Sequence, residues 1–399
     1  MDVVQQIQTY NVGRDPERLA LKYGAMRSSP FAFLRGSCHL FYAQLPRGSG
    51  LKSAPAVWAC GDLHLENFGS YRGDNRLVYF DLNDFDDAAL APASWDLLRF
   101  LTSLQVAAPT LGIDGHDTAL LGEHFLDSYA STLGGGKAYW VERETAHGLI
   151  HELLDGLHHR QRASFLNTRT VIKRRRRLLK VDGRKALPVS DAQRQALTLF
   201  MDEFARGQAN PDFYEVLDVA RRVAGTGSLG VERFAILVNG KGGTDANYLL
   251  DLKKALPSSL LPALKIAQPA WATEAHRVVA LQRRMQAVSM AFLQPVQFNE
   301  TPCVLRALQP SEDRVSLNGA HRSPAELTEL IGTMGRLVGW AHLRSGGRAG
   351  SAIADELIAF GQRRKWRTRL LDLSQGCAAQ LQRDADTFNS AFDDGVFNA

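Results

Sequence analysis

Two stretches decide how this chain is read: Cys60-Gly61-Asp62-Leu63-His64-Leu65-Glu66-Asn67-Phe68-Gly69, and Phe80-Asp81-Leu82-Asn83-Asp84-Phe85-Asp86-Asp87-Ala88. Each follows a short apolar run of strand length. Ala56 to Cys60 ends at Gly61-Asp62, and Arg76 to Asp81 leads into the acidic segment. Asp62 and Asn67 lie five residues apart at the end of the first run. Asp81 comes fourteen residues after Asn67, and Asp84 follows in the triplet Asp84-Phe85-Asp86. A strand, a tight polar loop, a second strand and then acids make up the set that phosphoryl transfer needs. One carboxylate orients an attacking hydroxyl. An amide oxygen and another carboxylate hold Mg²⁺, which prefers hard oxygen ligands, against the phosphates. Singly, Asp62 or Asn67 reads as a polar residue satisfying turn backbone; jointly, the spacing favours chemistry.

From Ser94 onward the pattern turns helical, with Trp95, Leu97, Leu98, Leu101 and Leu104. Helices are expected to about residue 160, over 190–206, over 272–292 and from 324 to the end. Asp15-Pro16-Glu17 is a helix cap and first turn. Residues 213–310 look β-rich. Phe234 to Val238 and Tyr248 to Lys253 read as strands around the turn NGKGGTDAN, and Cys303 to Leu308 as another.

Asp62-Leu63-His64-Leu65-Glu66-Asn67 resembles the D-L-x-x-x-N catalytic loop of protein kinases. With Gly61 and His64 it resembles still more the GDLHxxN loop of aminoglycoside and choline phosphotransferases. Asp84 to Ala88 resembles their metal-binding segment, and Trp95-Asp96-Leu97 the start of their next helix. The whole chain is similar to the bacterial DUF2252 family, grouped with the protein-kinase-like fold. The matching stretches include SPFAFLRG (29–36), VAGTGSLG (223–230), HRVVALQRRMQA (276–287) and AHLRSG (341–346). The resemblance implies an α+β, bilobal, kinase-like fold binding ATP and Mg²⁺.

The order of parts implies a circular permutation. Gly225-Thr226-Gly227-Ser228-Leu229-Gly230 satisfies G-x-G-x-x-G about 160 residues after the catalytic loop, where a kinase has it before. Lys253, in LLDLKKA, stands like the strand lysine of kinases. Backbone amides of a glycine turn approach phosphates closely, and a lysine on the neighbouring strand neutralises them. The expected organisation is a helical catalytic segment (1–212), a nucleotide lobe (213–310) and completing helices (311–399). A Rossmann reading needs a strand before the glycines. Val216, Leu217, Val219, Ala220 and Val223 have helical spacing, which argues against it.

Two assignments stay open. The metal carboxylate is Asp84 or Asp81, with Asp84 favoured by the D-F-D pattern. The acid partner of Lys253 is sought on the helix at 272–292, where Glu274 and Gln282 are candidates and neither is chosen. Asp96 is expected to brace the catalytic loop. His64 either shapes that loop by hydrogen bonding or contacts phosphate, and the former is preferred. Arg35, Arg306 and the His342–Arg344 pair are read first as ion-pair or surface residues.

The 399 residues carry 45% hydrophobic and 22% charged residues, which excludes a disordered or low-complexity chain. Cys38, Cys60, Cys303 and Cys377 show no metal-finger spacing and are expected to be free thiols. No run approaches the length of a membrane span and no secretory signal is visible, so a cytoplasmic location is expected. Much of the net charge of +5 comes from residues 160–185, where eleven Lys and Arg face one acid, Asp182. That segment reads as a solvated helix face or a basic wall beside a nucleotide cleft, and less readily as a nucleic-acid site. The leading expectation is an ATP- and Mg²⁺-dependent phosphotransferase acting on a small hydroxyl acceptor. The rivals are nucleotidyl transfer, a nucleotide-binding scaffold, and a basic nucleic-acid-associated protein.

Overall fold

A computed structural model describes residues 2–46, 50–310, 313–315 and 323–397. The chain begins with helices α1 (Val3–Tyr10), α2 (Pro16–Arg27), α3 (Pro30–Gly36) and α4 (Cys38–Ala43), then strands β1 (Ala56–Ala59), β2 (Phe68–Arg72), β3 (Val78–Leu82) and β4 (Ala89–Pro92). These four strands nest. β2 pairs with β3, closing with Phe68 opposite Leu82, and β1 pairs with β4, closing with Ala59 opposite Ala89. The β1–β2 loop (60–67) and the β3–β4 loop (83–88) are therefore forced side by side. This pairing register is what joins the two sequence stretches into one site.

Helices α5 (Ala93–Leu111), α6 (Gly115–Gly135) and α7 (Gly148–His159) follow. α5 is buried around nearly its whole circumference, with Trp95, Leu97, Leu98, Phe100, Leu101 and Leu104 in the core and Asp96, Arg99, Thr102 and Ser103 buried as well. Such a helix forms the centre of a core rather than its wall. Next come α8 (Arg162–Arg169), the hairpin β5 (Thr170–Lys173)–β6 (Arg176–Leu179), β7 (Ala186–Leu187) and α9 (Asp191–Arg206).

The β-rich unit holds β8 (Val216–Arg222), β9 (Arg233–Val238), β10 (Tyr248–Lys254), helix α10 (Glu274–Met285), β11 (Gln294–Phe298) and β12 (Thr301–Ala307). Its antiparallel sheet runs β11-β12-β10-β9-β8-β7 and so draws one strand from before residue 213. Phe234, Ile236 and Val238 pack with Leu197 and Met201 of α9, while Ala235 and Leu237 pack with Leu166 and Leu179 on the other face. β9 is thus covered on both sides, which explains its uninterrupted apolar run. Each such fully buried aliphatic side chain contributes about 2 kcal/mol. Helices α11 (Pro324–Ser345), α12 (Ala354–Gln362) and α13 (Lys365–Asp393) complete the fold. α13 joins α1 to α4 in a shared core of Ile7, Tyr23, Phe33, Leu40, Leu381 and Phe388.

The mixed α+β class matches expectation. Three local readings need correction. Residues 216–222 form strand β8, not a helix: Asp218 and Arg222 face inward, so the apolar positions do not alternate cleanly with polar ones. β8 runs through the glycine turn into the antiparallel strand β9, whereas a Rossmann unit has a helix there. The helix at 272–292 is shorter, because the chain turns extended at Gln286. The basic run Lys173 to Arg177 is a hairpin, with Arg174 and Arg175 at positive φ in its turn. Its Arg177 is buried and bonds Asn167, Thr170, Thr244 and Asp245. The four cysteines are free thiols. Among the described residues no helix is long and apolar enough to cross a membrane.

Candidate active site

One face of α5 carries the β1–β2 loop. Asp96, Arg99 and Ser103 are spaced i, i+3 and i+7, so they project from the same side of the helix. Asp96 accepts the N–H groups of Cys60 (2.8 Å) and Gly61 (3.0 Å), and the Ser103 hydroxyl accepts that of Leu65 (3.2 Å). Arg99, fully buried, donates from Nε and Nη2 to Asp62 Oδ1, the Nε contact being 2.8 Å. Gly61 sits at φ 87°, and a Cβ there would lie 2.2 Å from the Asp87 carbonyl oxygen. Only glycine lets the two loops approach this closely.

Asn67 ties the loops together. Its Nδ2 donates to the carbonyls of Asp62 (3.1 Å) and Asp84 (3.3 Å), and its Oδ1 accepts the N–H of Asp84 (2.8 Å). His64 Nδ1 accepts the Glu66 N–H, which assigns the ring proton to Nε2, 3.9 Å from Asp62 Oδ2. Burial, followed by Arg35, Arg99 and Arg314, holds the His64 imidazole neutral. His64 thus hydrogen-bonds within its own loop and also lines the cleft.

The cleft is lined by Asp62, His64, Glu66, Asn67, Asp84, Asp86 and Asp87 on one side. The Gly225-Thr226-Gly227-Ser228 turn, Lys253, Lys254, Arg14, Arg35 and Arg314 also line it, with Tyr10, Cys38, Val231 and Leu256 among the remaining residues. Gly230 lies outside it, where its carbonyl accepts the Asp15 N–H. A Cβ on Gly227 would stand 2.9 Å from the Arg35 carbonyl oxygen and 3.9 Å from Asp62 Oδ2, so the turn closes directly over the β1–β2 loop. The turn is held from outside the sheet. Arg14 donates to the carbonyls of Gly227 (2.8 Å) and Leu229 (2.9 Å), and the buried Lys22 donates to Gly227 (3.1 Å).

Asp84 lines this cleft and Asp81 does not. Asp81 is buried behind it, where it accepts the Ala287 N–H (3.2 Å) and lies 3.9 Å from Arg344. Lys253 reaches into the cleft and pairs with Asp86, not with an acid of α10. Glu274 instead pairs with Arg277 (2.6 Å), and Gln282 bonds Gln286. Arg277 supports the acidic loop through the carbonyls of Asp86 and Ala88. Burial opposes ionisation of Asp84, but Lys253, Arg306 and Arg233 outweigh it and hold this carboxyl below the usual range. Asp86 is pushed up by burial and by Asp84. Burial also raises Asp62 against the pull of Arg99. Residues 160–185 line no part of this cleft, which corrects their reading as its basic wall.

A family model described as "Uncharacterized protein conserved in bacteria (DUF2252)" matches residues 14–391. The chain belongs to the DUF2252 family. No curated protein matches it, and no solved structure does.

Several residues of this DUF2252 chain escaped sequence reasoning. Arg99 was visible as a charge inside an otherwise apolar helix, one turn after Asp96. Asp86 and Asp87 stood within the quoted acids, but nothing local distinguishes which of them faces Lys253. Arg14 and Lys22 carry no local sign of contacting a turn more than 200 residues away.

Proposed function

We propose that this DUF2252 chain is an ATP- and Mg²⁺-dependent phosphotransferase with a bilobal, circularly permuted kinase-like organisation. The observation that carries the reading is the convergence on one cleft of Asp62 and Asn67, of Asp84 and Asp86, and of Lys253 with the Gly225–Ser228 turn. In this reading 1–212 and 311–399 form the catalytic part and 213–310 the nucleotide part. Asp62 orients the acceptor hydroxyl and takes its proton. Lys253 and the glycine turn position the phosphates.

The residues present fit Mg²⁺. Asp84 is a carboxylate kept ionised by three cations, Asp86 is a further hard oxygen donor, and the Asn67 amide oxygen would join them by exchanging the Asp84 N–H for the ion. These three would hold the ion, which neutralises phosphate charge when bound. Asp81, set behind the cleft, is left out of this role. An acceptor and nucleotide of this chemistry suit a cytoplasmic protein.

The test is ATP turnover with Mg²⁺ across a panel of hydroxyl metabolites. Wild type should release ADP, and Asp84→Asn should lose about 10²–10³-fold in rate. Asp81→Asn should turn over close to wild type even if it is less stable. Pyrophosphate release with a nucleotide-modified acceptor would move the reading to nucleotidyl transfer. Nucleotide binding without turnover of any kind would leave a nucleotide-dependent scaffold.

A further inference from the structure

Glu66 lies four residues after Asp62 on the same loop, and two guanidinium groups share it. Arg35 Nη1 donates to Glu66 Oε2 at 2.5 Å and Arg314 Nη1 to the same oxygen at 3.4 Å. All three side chains line the cleft beside Asp62 and His64. His64 is neutral here and adds no charge. The charge of Asp62 is met by Arg99. Arg35 and Arg314 therefore share a single carboxylate, so neither guanidinium has an acid to itself. Arg35 Nε is also buried with no acceptor. Two guanidiniums drawn to one carboxylate repel each other, and a further anion in the cleft would offset that cost. A paired guanidinium fork suits an oxyanion better than any neutral ligand.

We infer that the acceptor carries an anionic group, a phosphate or a carboxylate, bound by Arg35 and Arg314, with the hydroxyl it presents to Asp62 a short distance away. This rests on the phosphotransferase reading and narrows its substrate class to small anionic hydroxyl compounds. Glu66 sets the affinity, because it competes for the same guanidiniums.

The experiment is calorimetric titration of inorganic phosphate, and separately of acetate, into the full chain. Each is run with and without Mg²⁺ and a non-hydrolysable ATP analogue. Phosphate or acetate should bind the analogue-loaded protein, and whichever binds assigns the oxyanion. Arg35→Gln and Arg314→Gln should each weaken that binding at least tenfold, whereas Glu66→Gln, which frees both arginines, should tighten it severalfold. A purely structural role for these residues does not produce opposite signs. Three results would overturn the inference: no binding of either anion at tens of millimolar, equal binding by the variants, or displacement of the anion by the analogue. The last would assign the arginines to the nucleotide. Failure of the analogue to bind counts instead against the phosphotransferase reading, and the titration without nucleotide still judges the arginines.

Discussion

Arg99 pairs with Asp62, the base of the proposed reading, and a double-mutant cycle on the two measures how that carboxylate is held. Arg99 is fully buried, and two of its N–H groups converge on Asp62 Oδ1 while Nη2 also reaches the Leu34 carbonyl (3.0 Å). Asp62 keeps about a fifth of its side chain exposed (19%). Arg99→Met preserves bulk and leaves a buried carboxylate without its partner, which costs about 3–5 kcal/mol. Asp62→Asn strands the guanidinium at a similar cost. The double variant removes both charges, so it should be less destabilised than the sum of the singles by about 2–3 kcal/mol. Urea unfolding of the four proteins reads this directly. A second readout is the acid limb of turnover. Burial already raises the Asp62 carboxyl, so it ionises only above the usual carboxylate range. Losing Arg99 raises it further, and activity should then fail at a higher pH on acidification, by about one pH unit per 1.4 kcal/mol of lost interaction. Additive single effects, within about 0.5 kcal/mol, together with an unmoved acid limb, would refute the pairing as the device that positions Asp62.

Two further outcomes are expected. Gly227→Val puts a branched side chain where even a Cβ would stand 2.9 Å from the Arg35 carbonyl oxygen. The turn must lift, and in the proposed reading calorimetric affinity for an ATP analogue should fall about tenfold, or 1.4 kcal/mol, together with a lower urea midpoint because Arg14 and Lys22 lose the Gly227 carbonyl; unaltered affinity would sink this reading of the turn. His39 is held near pKa 3 by burial, then by Lys22, Arg14 and Arg99. Between that value and the free value near 6.5 the unfolded chain binds a proton that the native protein refuses, so stability falls as pH drops. The loss from this group is about 2 kcal/mol between pH 7 and pH 5. His39→Gln should flatten that part of the slope in urea midpoints taken at both pH values, and an unchanged slope would show that another group carries it.

The candidate site was legible where chemistry confines it to few residue types within a short span. Gly61-Asp62 through Asn67 and Asp84 through Ala88 needed no tertiary knowledge, and Asp96 was found from its place at a helix start. Its other side was not legible, because the side chains that hold it come from distant elements. Which acid meets Lys253 depends on Arg277 of α10 gripping the carbonyls of Asp86 and Ala88. Strand β8 was misread because its polar residues are inside. Asp218 accepts the Leu179 N–H and pairs with Arg194, and Arg222 pairs with Asp251, so a half-polar buried strand mimics a helical stripe. The basic run misled for a related reason. A charge count cannot tell exposed Arg174 and Arg175 from Arg177, whose guanidinium fastens the hairpin to Thr244 and Asp245.

The clasp on the glycine turn also has a history during synthesis. Arg14 and Lys22 are made before any strand of the sheet, yet the helix that bears Lys22 sits on a core to which Leu381, Ala385 and Phe388 of α13 contribute. Gly227 emerges early, and its clamp becomes firmly seated only some 150 residues later, about 8–30 s at ordinary elongation rates. A nascent chain lacking α13 would carry every residue that faces the cleft and still leave the turn unfastened. In the proposed reading, loss of that distant helix should therefore appear as weakened nucleotide binding, although α13 itself lines no part of the cleft.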